Sequence, residues 1–147
     1  MCERFAEGIG NRGTEARRSW GELFDAKYPD LAKEIELMQR RELPAGWDRN
    51  PPVFPADSTG IAGRDASGKV LNVHAQNVPW FFGGSADLAP SNRTTLTFAG
   101  AGDLQPDNPG GKNLHFGVRE HAMAAIMNGL SLSKLRPACA PSELQRP

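Results

Sequence analysis

The sequence predicts an α/β fold with a parallel sheet, preceded by a polar helical arm. Two short apolar runs, Trp80–Phe82 and Leu114–Val118, read as buried strands, the first opening into a glycine loop. Helical periodicity brackets them, with an apolar stripe before the first and an apolar helix after the second. The first forty residues show helical spacing and no strand signal. The α/β pattern runs for about one and a half repeats and then stops.

From Thr14 the arm is helical: Trp20, Leu23 and Phe24 fall at i, i+3, i+4, and Leu31, Ile35 and Met38 at i, i+4, i+7. Tyr28-Pro29-Asp30 separates its two helices, because proline is tolerated only in a first turn. Glu36 and Arg40 are spaced to pair across one turn. Residues 1–13 carry three glycines without periodicity and read as a loop or the stump of something longer. Residues 43–60 hold four prolines and two glycines, so an irregular connector is expected.

The second block begins near Ile61. Ala66, Val70 and Val73, flanked by Leu71, Ala75 and Val78, form a wide apolar stripe that Pro79 terminates. Residues 97–112, with four glycines and two prolines, read as a surface excursion. Glu120–Leu132 reads as a helix. Val118, Ala122, Ala125, Ile126, Gly129 and Leu130 share one of its faces, Met123 and Met127 widen it, and such a helix is expected to be packed on most sides. The last ten residues fit neither a strand nor a core helix. The resulting division is an arm and connector over 1–60, an α/β segment over 61–137 and an unpatterned tail over 138–147.

Composition narrows the function classes. A chain of 147 residues suits one domain with a real core. With 17 Lys and Arg against 17 Asp and Glu, there is no electrostatic footprint for nucleic acid or an anionic membrane. No apolar run approaches the roughly 20 residues of a membrane helix, and the N-terminus lacks a signal-peptide core. Cys2 and Cys139 show no metal-ligand or disulfide spacing, which fits a cytoplasmic protein.

Chemistry concentrates in two places. Gly83–Asn92 (GGSADLAPSN) is a glycine turn after a strand, carrying the carboxylate of Asp87 and the hydroxyls of Ser85 and Ser91. Ligands of α/β sheets bind at the carboxyl ends of strands. Local turn hydrogen bonds would equally explain Asp87 and Ser91. Glu120 opens the last helix, where a carboxylate also complements the helix dipole with no further role. His115 and His74 read as a packing residue and a solvated one.

Together with Asn113–Leu130 (NLHFGVREHAMAAIMNGL), that loop resembles the transketolases, which show G-G-S-A-D-L with a following P-S-N and a G-V-R-E segment opening a helix with A-I-x-N-G. Arg64, ahead of Ala66-Ser67-Gly68, matches the family's A-T-R-x-A-S segment, with Ala62-Gly63 in place of Ala-Thr. The similarity runs from about Trp20 to Pro137. It implies an incomplete pyrimidine-binding domain of the thiamine-diphosphate enzyme type. The activity implied is transfer of a two-carbon ketol unit from a ketose phosphate to an aldose phosphate, a step of the pentose phosphate pathway.

The resemblance also assigns roles. Glu120 matches the catalytic glutamate that contacts N1′ of the cofactor's aminopyrimidine. A carboxyl there needs a short hydrogen bond in a dry pocket. Asp87 matches the loop aspartate near the thiazolium side, with Leu88 packing beside it. Arg64 and Ser91 match residues that hold the substrate's phosphate, a forked cation beside a hydroxyl donor. Arg119 and His121 flank the glutamate in structural roles.

Departures from the family pattern are equally specific. The G-D-G…N metal motif of the diphosphate-binding domain is absent, so magnesium is expected from a domain outside this chain, and no metal ligand is assigned within it. The aromatic-rich loop after the G-V-R-E helix is replaced by ACAPSELQRP. The C-terminal domain is missing too. These features lead to the expectation of a truncated or frame-shifted fragment. Its partners would be sugar phosphates and a second subunit carrying the diphosphate-binding domain, as in the family's homodimer, and it would be inactive alone. The alternative is a non-catalytic remnant that associates with other subunits. A deoxyxylulose-phosphate-forming enzyme fits less well, since its glutamate lies in an A-E-Q-H context and it lacks SADLAPSN.

Overall fold

The fold is that of a computed structural model, which describes residues 2–133 and 138–139. Two compact units divide the chain, residues 1–37 and residues 38–147.

The first unit is helical from its start. Helix α1 (Cys2–Phe5) runs through a π-helical turn, Ala6–Gly10, into α2 (Asn11–Lys27). Over its described residues, 2–13, the expected loop is therefore helical. Glycine costs a helix only about 1 kcal/mol per position, and the intervening Glu, Arg and Ala residues favour it. Along α2, Trp20 stacks on Phe24 with centroids 5.0 Å apart, and Phe24 lies 5.6 Å from Tyr28. Arg18 bridges Glu15 and Glu22, each at 2.6 Å, the pairing that i,i+3 and i,i+4 spacing permits. Helix α3 (Pro29–Arg40) begins on its proline, as the first-turn rule requires.

In the second unit the connector is strapped to the helix that follows it, α4 (Gly63–Asn77). Asn77 Nδ2 donates to the Trp47 and Arg49 carbonyls at 3.2 and 2.8 Å. The His74 ring stacks on Trp47 at 5.5 Å, with Nδ1 3.1 Å from the Trp47 carbonyl. His74 is thus engaged rather than solvated, by a partner 27 residues away that no helical pattern reveals. Within the connector, the Thr59 backbone N–H and hydroxyl both donate to Asp57, holding that carboxyl below its ordinary pKa.

The sheet has three parallel strands in the order β2-β1-β3: β1 (Phe82–Ser85), β2 (Asn113–His115) and β3 (Ala138–Cys139). The first strand begins two residues later than expected. Trp80 and Phe81 lie in the turn before it, and both glycines lie inside it. Steric fit accounts for this. A Cβ on Gly84 would collide with the Leu114 backbone, so the central strand approaches its neighbour only where a side chain is missing. The second strand is shorter than expected, because Gly117 turns the chain at φ 65 and Arg119 N–H closes on the Gly117 carbonyl at 2.7 Å. The third strand arises at the head of the tail expected to be unpatterned, and the rest of that tail lies outside the described residues.

A core of Ala75, Leu96 and Ala101, with Leu71, Phe81 and Phe98 packed on it, joins α4 to the 97–112 excursion. That excursion is therefore only partly superficial, and Asn113 anchors it. The Asn113 side chain, 6% exposed, accepts from Leu96 N–H at 2.8 Å and donates to the Leu96 and Gly102 carbonyls at 3.0 and 3.1 Å. Lys112 Nζ donates to the carbonyls of Pro79 and Phe81 on the approach to β1.

The last helix, α6 (Glu120–Leu132), has the bounds that its sequence predicts and comes against β3. Its surroundings differ from expectation. Met123 is fully buried, but Val118 before the helix and Leu132 at its end are 76% and 81% exposed, and Ile126 is exposed between them. Among the described residues the apolar sides of α6 are thus mostly open.

Replacing Asn113 with Ala strands the buried Leu96 N–H and C=O, an expected loss of about 2–3 kcal/mol in urea unfolding of the chain. Gly84→Ala forces β1 away from β2 and is expected to cost about 1–3 kcal/mol in the same measurement. An unchanged midpoint for either variant would contradict the packing described.

Candidate functional site

The carboxyl ends of β1 and β2 carry the two motifs side by side, since Ser85 and His115 are register partners. The chain leaves β1 through Ala86, which is buried, and Asp87, which is exposed and adopts φ 73. A left-handed conformation is unusual for a residue with a side chain, although Asp tolerates it better than most. The Ser85 hydroxyl accepts the Leu88 N–H at 3.0 Å, closing this turn. Leu88 is 44% exposed, so an apolar side chain stands beside the Asp87 carboxylate in solvent. A short helix, α5 (Ala89–Asn92), then carries Ser91 on its surface.

From β2 the chain passes Phe116, whose N–H donates to the Ser85 carbonyl at 3.1 Å. It turns at Gly117 and enters α6 on Glu120, which is partly buried. Arg119 Nη1 donates to the Phe116 carbonyl at 2.9 Å, a structural bond that braces this turn. Glu120 and Asp87 thus stand on adjacent strand-end segments, with the acid of α6 at the helix end that favours an anion. His115 does not pack, as its sequence position suggested. It is exposed, with Nε2 3.0 Å from Asp103 Oδ1, because residue 103 bridges to the outer side of β2.

Arg64 and Ser91 lie on a different pair of elements, the first turn of α4 and the middle of α5, and both side chains are exposed. Two contacts hold those helices together. Arg93 Nε donates to Asp65 Oδ1 at 2.8 Å, and Gly68 faces the Arg93 carbonyl so closely that a Cβ would stand 2.7 Å from it. A cleft of about 640 Å³ opens between these helices, lined by Asp65, Gly68, Lys69, Asn72, Pro90 and Arg93. It runs beside Arg64 and Ser91 without being lined by them. Sequence reasoning passed over Asp65, Arg93 and the hydroxyl role of Ser85, since each depends on a partner that the backbone brings close.

The chemistry available is specific. Two carboxylates and an apolar side chain at the strand ends suit a cationic or N–H-rich heterocycle. The exposed guanidinium and hydroxyl on α4 and α5 suit a phosphate. Among the described residues no group of three or more His, Cys, Asp or Glu is placed to hold a metal ion. No helix among them is long and apolar enough to cross a membrane.

Comparison with known proteins agrees with the motifs. The family model described as the transketolase pyrimidine-binding domain matches residues 59–141. Transketolase of Bacillus subtilis strain 168 is 45% identical over 136 residues, which cover 90% of this chain and 20% of that protein. Chloroplastic transketolase-1 of Arabidopsis thaliana is 45% identical over 133 residues, covering 87% and 18%. Among solved structures, Pichia stipitis transketolase in complex with sedoheptulose-7-phosphate superposes with a TM-score of 0.69 at 41% identity, covering 82% of this chain and 19% of that one. Leishmania mexicana transketolase gives a TM-score of 0.71 at 37% identity, covering 82% and 18%. The chain spans about a fifth of the length of these relatives. On the matched motifs, the parallel sheet and these similarities together, the chain belongs to the transketolase family, and its residues 59–141 correspond to the family's pyrimidine-binding domain.

Proposed function

We propose that this chain provides the pyrimidine-side half of a thiamine-diphosphate site serving ketol transfer between sugar phosphates. The observation that carries this reading is the placement of Asp87 and Glu120 on the adjacent carboxyl ends of β1 and β2. The donor set fits the heterocyclic end of the cofactor, because carboxylates accept from its N–H groups and balance its cationic ring. When bound, the cofactor supplies the carbon nucleophile that cleavage of a ketose requires.

In this reading Glu120 holds a proton at N1′ of the aminopyrimidine. Asp87 balances positive charge on the thiazolium side, and Leu88 gives the ring an apolar wall. Arg64 and Ser91 orient the substrate by its phosphate, which converts binding energy into alignment at the reacting carbon. The diphosphate tail and magnesium fall to a second subunit or chain. The protein acts in the cytoplasm, its sugar-phosphate substrates being those of the wider family. Segment 61–137 holds every residue given a role here.

Alone, the chain with thiamine diphosphate and magnesium is expected to show no ketol transfer from xylulose 5-phosphate to ribose 5-phosphate. Turnover by the isolated chain in a coupled assay would overturn the half-site reading. Where a chain bearing the diphosphate-binding domain restores activity, Glu120→Ala is expected to lower kcat by about 10²–10⁴-fold, the usual contribution of a positioned proton-transfer group. Near-wild-type kcat in that variant would remove Glu120 from the chemistry.

A second reading, a non-catalytic subunit-association module, is favoured by the open apolar surface around Val118, Ile126 and Leu132. Complex formation with a transketolase subunit, without turnover under any complementation, would select it over the half-site.

A further inference from the structure

Ser85, at the strand ends, is bonded to both motif loops. It closes β1 and is 4% exposed. Its hydroxyl accepts Leu88 N–H at 3.0 Å across the turn that keeps Asp87 at φ 73. Its carbonyl accepts Phe116 N–H at 3.1 Å, four residues before Glu120. The strand itself cannot shift to compensate, because Gly84 is already against the Leu114 backbone. Loss of the hydroxyl bond removes one contact that holds Asp87 left-handed, and for a residue with a Cβ that conformation is disfavoured.

We infer that Ser85 is a positioning residue: its hydroxyl fixes the Asp87–Leu88 turn against the strand end from which the Glu120 segment departs. This rests on the reading that Asp87 and Glu120 face one cofactor, and it adds the residue that sets their spacing. Ser85 touches neither cofactor nor substrate in this role. It acts through the backbone of Leu88 on one side and of Phe116 on the other.

The test uses the isotope-labelled full chain and amide hydrogen exchange followed by NMR. In Ser85→Ala, Leu88 exchange is expected to rise about tenfold, as loss of one hydrogen bond implies. Gly84 and Met123 amides should remain within about twofold of wild type, the spread expected of sites that lose no hydrogen bond. Ser85→Thr, which keeps a hydroxyl, should restore the Leu88 protection. Unchanged Leu88 exchange in Ser85→Ala overturns the inference. So does uniform loss of protection through Gly84 and Met123, since that would make Ser85 a general packing residue. Failure of the Thr variant to restore protection counts against it equally.

Titration with thiamine diphosphate and magnesium separates this from the cofactor reading. Shifts at the Asp87 and Leu88 amides of the wild-type chain should weaken at least severalfold in Ser85→Ala, and undiminished shifts overturn the positioning role. If the cofactor moves no amide of the wild-type chain even with a chain bearing the diphosphate-binding domain present, the cofactor reading fails and the exchange result alone decides Ser85.

Discussion

The parallel pairing of Gly83–Ser85 with Asn113–His115 is the constraint on which the rest of the second unit depends. Two residues make it possible in different ways. Gly84 removes the side chain that would hold the strands apart. Asn113 spends its amide on the backbone of Leu96 and Gly102, so that the long excursion returns to the strand at a fixed point. With the strands in register, their carboxyl ends fall side by side, and the segments leaving them need no further device to become neighbours. Site geometry here is inherited from backbone proximity more than from side-chain contact, in keeping with ligand sites at the strand ends of α/β sheets.

Much of this was legible in the residues. The bounds of α6 follow from Glu120 after a glycine turn and from the apolar run behind it, signals that are local and therefore readable. The proline break at Tyr28-Pro29 and the glycine and proline content of 43–60 were equally local. What was misread was non-local. Gly83 and Gly84 argue against a strand on propensity, yet the central strand requires Gly84 because of Leu114. His74 and His115 have ordinary sequence surroundings, and their partners, Trp47 and Asp103, lie 27 and 12 positions away. The glycines at 8, 10 and 13 suggested a loop because their helical cost is visible and the compensation from neighbouring helix formers is diffuse. For the proposed site, the motifs singled out Asp87, Leu88, Glu120, Arg64 and Ser91 as candidates and Ser85 only as a loop hydroxyl, while the bonds that Ser85, Asp65 and Arg93 make beside them carried no signal until the backbone was in place.

Packing around α6 separates what the domain needs from what this chain supplies. A helix whose apolar residues surround it on most sides is suited to burial by several neighbours. Here β3 reaches one side, and Val118, Ile126 and Leu132 remain in solvent. The sequence therefore encodes more interior than the described residues contain, in agreement with a match to about a fifth of each relative's length. The subunit-association reading draws on this surplus as an adhesive face.

Asp87 sits at φ 73 in the turn between β1 and α5. That angle favours glycine, asparagine or aspartate whatever ligand is near it, although Arg41 and Arg93 of this chain are left-handed too. Aspartate in this loop satisfies that stereochemistry and adds an anion, and only the anion bears on the proposed function. A related chain with asparagine here would keep the same turn while losing the anion.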